Sequence, residues 1–147
     1  IADHCQRCAM TAMVLASEDK TLDFNKLIAM CLIHDVPECL VGDVTPGDRI
    51  TKSEKQAAEK KAASLLGSMT GTPIESLFEE FESGITAESL AAQEIDKFEM
   101  LLQACEYERA NPGLDLSKFF ESTIPFFKNP IILRWLDQIN KQRPNKH

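Results

Sequence analysis

The segment CLIHDVPECLVGD, residues 31–43, puts His34, Asp35, Glu38 and Asp43 into a run whose other residues are mostly those of an apolar core. Two more ionisable residues lie in similar surroundings. His4 shares a helical face with Cys8, Thr11 and Leu15, and Asp96 lines up with Ser89, Ala92, Met100 and Gln103. Singly, each has a plain structural explanation. An inward histidine is commonly a hydrogen-bonded core residue, Asp35 sits where a helix ends, Asp43 before VTPGD suits a turn, and Asp96 would pair with a lysine. Taken together they fit that explanation less well, because burying several charges is costly unless they are paired or gathered round a cation. Two imidazoles and two carboxylates make a mixed N/O set suited to Mn²⁺, Fe²⁺, Co²⁺, Ni²⁺ or Zn²⁺.

These residues need elements to hold them. Apolar spacings of three and four dominate and strict alternation is rare, so the class is all-α. Helices are expected over 4–16 and 23–35, with Leu27, Met30, Cys31 and His34 on one face of the second. Asp35 is rotated by ~100° from His34 and falls just before the break imposed by Pro37. Residues 37–42 read as a short helix with proline at its first position. Glu38 then lies in a first turn, where the helix dipole favours a carboxylate. Loop follows over 43–51, then helices over 52–69, 73–84 and 86–110, the last capped by Thr86 with Glu88 in its first turn. Glu94, Lys97 and Glu108 are its expected exposed charges. NPGLD breaks it, and 116–122 and 130–142 form the last two helices. FFESTIPFF (119–127) is either C-terminal core or a face for a second subunit.

The 147 residues suffice for one domain, 1–147. A net charge of −7 and a pI near 5.0 argue against a nucleic-acid polymer or an anionic membrane as partner. No apolar run approaches the ~20 residues of a membrane span. Cys5, Cys8, Cys31, Cys39 and Cys105 are read as free thiols of a reducing cytosol, which gives a cytoplasmic location. CQRC has no second CxxC to make a zinc site. The chain starts at Ile1 rather than Met, so an upstream segment of the natural sequence is expected.

ADH at 2–4, HDVPE at 34–38 and EID at 94–96 give the ordered pattern H…HD…D, which resembles the HD-domain metal-dependent phosphohydrolases. HDVPECLVGDVTPGD, EKQAAEKKA, LFEEFESGITAES and IDKFEMLLQACEYE extend the likeness over nearly the whole chain, to the short HD-domain 5′-deoxynucleotidases. The resemblance implies an HD-domain bundle of about six to eight helices that hydrolyses deoxynucleoside 5′-monophosphates to deoxynucleoside and phosphate, as a homodimer. It makes His4, His34, Asp35 and Asp96 the ligands of one divalent ion, drawn from Co²⁺, Mn²⁺, Fe²⁺, Ni²⁺, Zn²⁺ and Mg²⁺. It makes Glu38 and Asp43 the acid/base and water-orienting carboxylates. Arg7, in the family's H-x-x-R position, binds phosphate or orders the site. Thr45, Pro46, Lys52 and Lys55 are candidates for the substrate rim, while Glu82 and Glu88 match the pattern without a role. The family's Arg–Trp-type segment, which helps read the sugar, would precede Ile1.

His4, His34 and His147 are the only histidines, too few for the multi-metal branch of these phosphohydrolases. They leave none for a Ser-His or Cys-His covalent route, and the paired Glu-x-x-His motifs of a di-iron bundle are absent. Two alternatives stay open. One is a mononuclear HD hydrolase of another nucleotide (triphosphate, cyclic or stringent-response); the other is an inactive HD domain serving as sensor or scaffold.

Overall fold

The computed structural model describes residues 1–43 and 50–144, and the described residues form helices and turns with no strand. Helix α1 (Ala2–Glu18) buries Cys5, Cys8, Ala9, Ala12, Leu15 and Ala16, a stripe at spacings of three, one, three, three and one. A short turn leads to α2 (Phe24–Ile33), whose first turn is capped by Asp23 accepting from the Lys26 N–H. Helix α2 packs on α1 through Leu27, Met30 and Cys31. It ends at Ile33, two residues earlier than the spacing predicts. His34 caps it, still helical at φ −57°, and the chain turns through Val36 and Pro37 into α3 (Glu38–Val41). Pro37 stands one place before the helix rather than at its first position.

Helix α4 (Lys52–Thr70) opens with a full capping box: Thr51 accepts from the Glu54 N–H, and the Glu54 carboxylate accepts from the Thr51 N–H. It packs against α3 and against α5 (Ile74–Ser83), which turns Phe78 and Phe81 inward. The long α6 (Ala87–Ala110) is the spine of the molecule and touches α1, α2, α5 and the C-terminal elements. Those are α7 (Ser117–Thr123), a 3-10 turn (Ile124–Phe126) and α8 (Pro130–Gln142). Leu15, Leu27, Met30, Ile95, Leu101, Phe120 and Ile132 are fully buried at the centre.

Helix α6 corrects one expectation. Of its three charges expected in solvent, Glu94 and Glu108 are buried. Glu94 accepts from the Asn129 N–H at the start of α8. Glu108 accepts from the Leu116 N–H and from Arg143. A helix surrounded on most sides by others has little solvent face left for its charges. FFESTIPFF is divided: Phe120 and Phe127 join the core, whereas Phe126 is exposed. No helix among the described residues is long and apolar enough to cross a membrane.

Candidate metal centre

Three helices bring four side chains to one point. His4 projects from the first turn of α1, His34 and Asp35 from the end of α2, and Asp96 from the middle of α6. His4 Nε2 lies 3.1 Å from Asp96 Oδ1, 3.3 Å from His34 Nε2 and 3.7 Å from Asp35 Oδ2. His34 Nε2 lies 3.5 Å from Asp35 Oδ2 and 3.9 Å from Asp96 Oδ1. Metal–nitrogen and metal–oxygen bonds of ~2.0–2.2 Å set neighbouring ligand atoms roughly 3.0–3.5 Å apart, so these spacings suit a shared cation.

The far ring nitrogens agree with that arrangement. His34 Nδ1 is 2.9 Å from the Cys31 carbonyl and must donate to it, which turns a bare Nε2 toward the cluster. His4 Nδ1 donates likewise to Glu99 Oε2 at 2.5 Å. Two bare Nε2 atoms 3.3 Å apart demand a positive charge between or upon them. Hydrogen bonds to Asp96, Cys8 and Glu99 push the His4 pKa up to about 12, and a cation bound between the two rings would take the place of that proton. Burial pushes Asp96 upward, but His4, Lys97 and His34 outweigh it and hold the carboxyl at about 2. Thiols stand near as well, in the sets His4–Cys8–His34 and Cys5–His34–Asp35. Burial raises the pKa of both cysteines and favours the neutral thiol.

Beside this cluster opens a cavity of about 660 Å³, within the ~300–1,000 Å³ usual for small-molecule sites. Glu38, Asp43, Lys52, Lys55, Gln56, Glu59, Phe78, Phe81 and Glu82 line it with the four donors. Glu38 is buried and pairs with Lys55 at 3.3 Å. Burial, and next the charge of Asp35, raise its pKa above the ordinary carboxylate value. Lys55 also reaches Glu59 at 3.4 Å, and Asp43 is exposed at the rim.

Thr45 and Pro46 lie outside the described residues, as does His147. Arg7 is not part of this lining. Its guanidinium turns to α6, with Nε 2.8 Å from Glu99 Oε1 and bonds to Gln103 and Glu106. Glu82 lines the cavity and accepts from Gln56, whereas Glu88 ties the start of α6 to Asp23 and Lys26. Sequence reasoning missed Gln56, Glu59 and Glu99. Glu59 stands one turn beyond Lys55 and Glu99 one turn beyond Asp96, so helical phase alone could have drawn attention to both.

Comparison with known proteins follows the same lines. The family model for the HD domain matches residues 1–131. The 5′-deoxynucleotidase HDDC2 of Xenopus laevis is 40% identical over 149 residues, covering 97% of this chain and 73% of its own. That of Dictyostelium discoideum is 39% identical over 157 residues, covering 97% and 83%. Among solved structures, a conserved hypothetical protein from Pyrococcus furiosus is similar with a TM-score of 0.73 at 28% identity, over 95% of this chain and 81% of that one.

Proposed function

The chain belongs to the HD domain family, and from that premise we propose that it is a 5′-deoxynucleotidase, hydrolysing deoxynucleoside 5′-monophosphates to deoxynucleoside and phosphate. One observation carries the reading: four N and O donors from three helices, His4, His34, Asp35 and Asp96, crowd to within 3.1–3.9 Å in the pairs given above. They do so in a chain 40% identical to a protein of that name.

His4, His34, Asp35 and Asp96 hold a single divalent ion in this reading. When bound, such an ion makes water more acidic and polarises the phosphoryl group. The chain's own groups do the rest. Glu38 takes the proton of the water that attacks phosphorus, and the burial that raises its pKa makes it a stronger base than an ordinary carboxylate. The new P–O bond forms opposite the ester oxygen, and the bond from phosphorus to the nucleoside 5′-oxygen breaks. That oxygen takes up a proton as it leaves, balanced by the one Glu38 took from the water or by bulk water, and Asp43 at the rim is the carboxylate that helps orient the attack. Lys52 and Lys55 face the cavity and balance negative charge on the phosphoryl oxygens. Phe78 and Phe81 give the nucleoside an apolar wall.

The test is phosphate release from dAMP, dGMP, dCMP and TMP beside their ribonucleotide counterparts, across Co²⁺, Mn²⁺, Ni²⁺, Zn²⁺ and Mg²⁺. Release from the deoxynucleotides, dependent on added ion, is expected. Co²⁺- or Mn²⁺-loaded protein that frees no phosphate from any of them overturns the assignment.

A further inference from the structure

Glu99 is not among the residues that line the cavity, and its side chain is only 4% exposed. Its Oε2 accepts the His4 Nδ1 proton at 2.5 Å. Its Oε1 lies 2.8 Å from Arg7 Nε but takes no aligned hydrogen bond, so charge rather than directed bonding joins the two. Arg7 is fixed in turn by Gln103 at 2.9 Å and by both oxygens of Glu106 at 2.9 and 3.0 Å. The sequence basis is a matched pair of stripes. His4 and Arg7 are three apart on α1; Asp96, Glu99, Gln103 and Glu106 follow at three, four and three on α6.

We infer that Glu99, backed by Arg7, is the positioning residue of the metal centre: it fixes the tautomer and plane of the His4 ring, so that Nε2 is delivered beside Asp96 Oδ1. The inference rests on His4 being an ion ligand. A carboxylate on the far nitrogen of a ligating histidine raises its basicity and stops the ring from turning; losing such a partner costs about 10–100-fold in metal affinity. Arg7 keeps the buried Glu99 compensated, since a carboxylate without a counter-charge there would be strongly destabilising. Its donors are thus directed at α6, and of the two roles the sequence left open for Arg7, ordering the site is the one this geometry supports.

The test reads the ion rather than turnover. Mn²⁺ affinity by calorimetry and the visible spectrum of bound Co²⁺ are compared for wild type, Glu99→Gln and Arg7→Met. The glutamine keeps the shape of Glu99 and an acceptor oxygen while removing its charge. Glu99→Gln is expected to bind Mn²⁺ about 10–100-fold more weakly with an altered Co²⁺ spectrum, while the ion-free protein melts as wild type does. Arg7→Met is expected to move the affinity in the same direction by less. Variants that bind Mn²⁺ as tightly as wild type, with an unchanged Co²⁺ spectrum, overturn the role of Glu99 and leave the metal reading standing. Wild type that binds no ion overturns both. Should Glu99→Gln fail to fold, Arg7→Met decides: weakened binding supports the inference and wild-type affinity overturns it.

Discussion

Glu38 is pulled in opposite directions by its neighbours. Burial and the charge of Asp35 favour its protonated form, while Lys55 favours the carboxylate. If it takes the proton of the attacking water it must be ionised, so activity should rise with pH along a limb above the ordinary carboxylate value of 4.5. Removing Lys55 removes an influence that lowers that pKa. Lys55→Met should therefore move the limb of the kcat profile to higher pH, and a limb that stays put would detach Glu38 from it. Glu38→Ala should keep its metal content by elemental analysis and lose about 10²–10⁴ in kcat; full turnover in the loaded variant would remove Glu38 from the mechanism. At this scale much could be read beforehand. Helical phase alone turned His4, His34 and Asp96 inward, because it needs only local spacing. Glu99 was in phase too, but its partner lies 95 residues away and no local pattern announces it.

Helix α6 is fixed at its C-terminal end by a contact between elements. The Glu108 carboxylate, with no side-chain exposure, meets the guanidinium of Arg143 at 2.7 Å, just past α8. Arg143 also stacks 3.8 Å over the Phe120 ring of α7 and donates to Ser117. Three elements thus converge on one arginine. Removing one partner of a buried pair typically costs about 3–5 kcal/mol, since the other charge is left uncompensated. Arg143→Met should lower the unfolding free energy by that order in denaturant titrations. The pH dependence has a definite sign. Arg143 holds Glu108 below its ordinary 4.5, so the pair's contribution is present above that value and lost as pH falls through the lower folded pKa. The gap between wild type and Arg143→Met should accordingly narrow on acidification below about 4.5; a constant gap would mean the pair contributes nothing ionic. Helix boundaries were largely legible in the sequence, because caps such as Thr51 and Thr86 and the apolar spacing are local signals. The burial of Glu94 and Glu108 was not, because it depends on where α7 and α8 come to rest.

Across the whole molecule, the candidate centre would also act as a fastening once an ion is bound. Its donors come from α1, α2 and α6, the three helices whose mutual packing forms much of the core. A cation held by all four side chains exists only when those helices are docked, so ion binding and folding are linked. An ion at 100 times its Kd, without affinity for the unfolded chain, stabilises the fold by about 2.7 kcal/mol. For a domain near this length that corresponds to roughly 5–10 °C in Tm. Removing the ion with a chelator should lower Tm by that amount, and adding back Mn²⁺ or Co²⁺ should restore it. The source of the increment can be located with Asp96→Asn, which keeps the side-chain volume but weakens the site. The variant should show little or no rise on adding the ion. Wild-type protein whose Tm is indifferent to chelator and to added ion, in a buffer where Asp96→Asn melts at the same temperature, would show that the three helices are joined by apolar packing alone. An equal rise in both proteins would place the ion somewhere other than among His4, His34, Asp35 and Asp96.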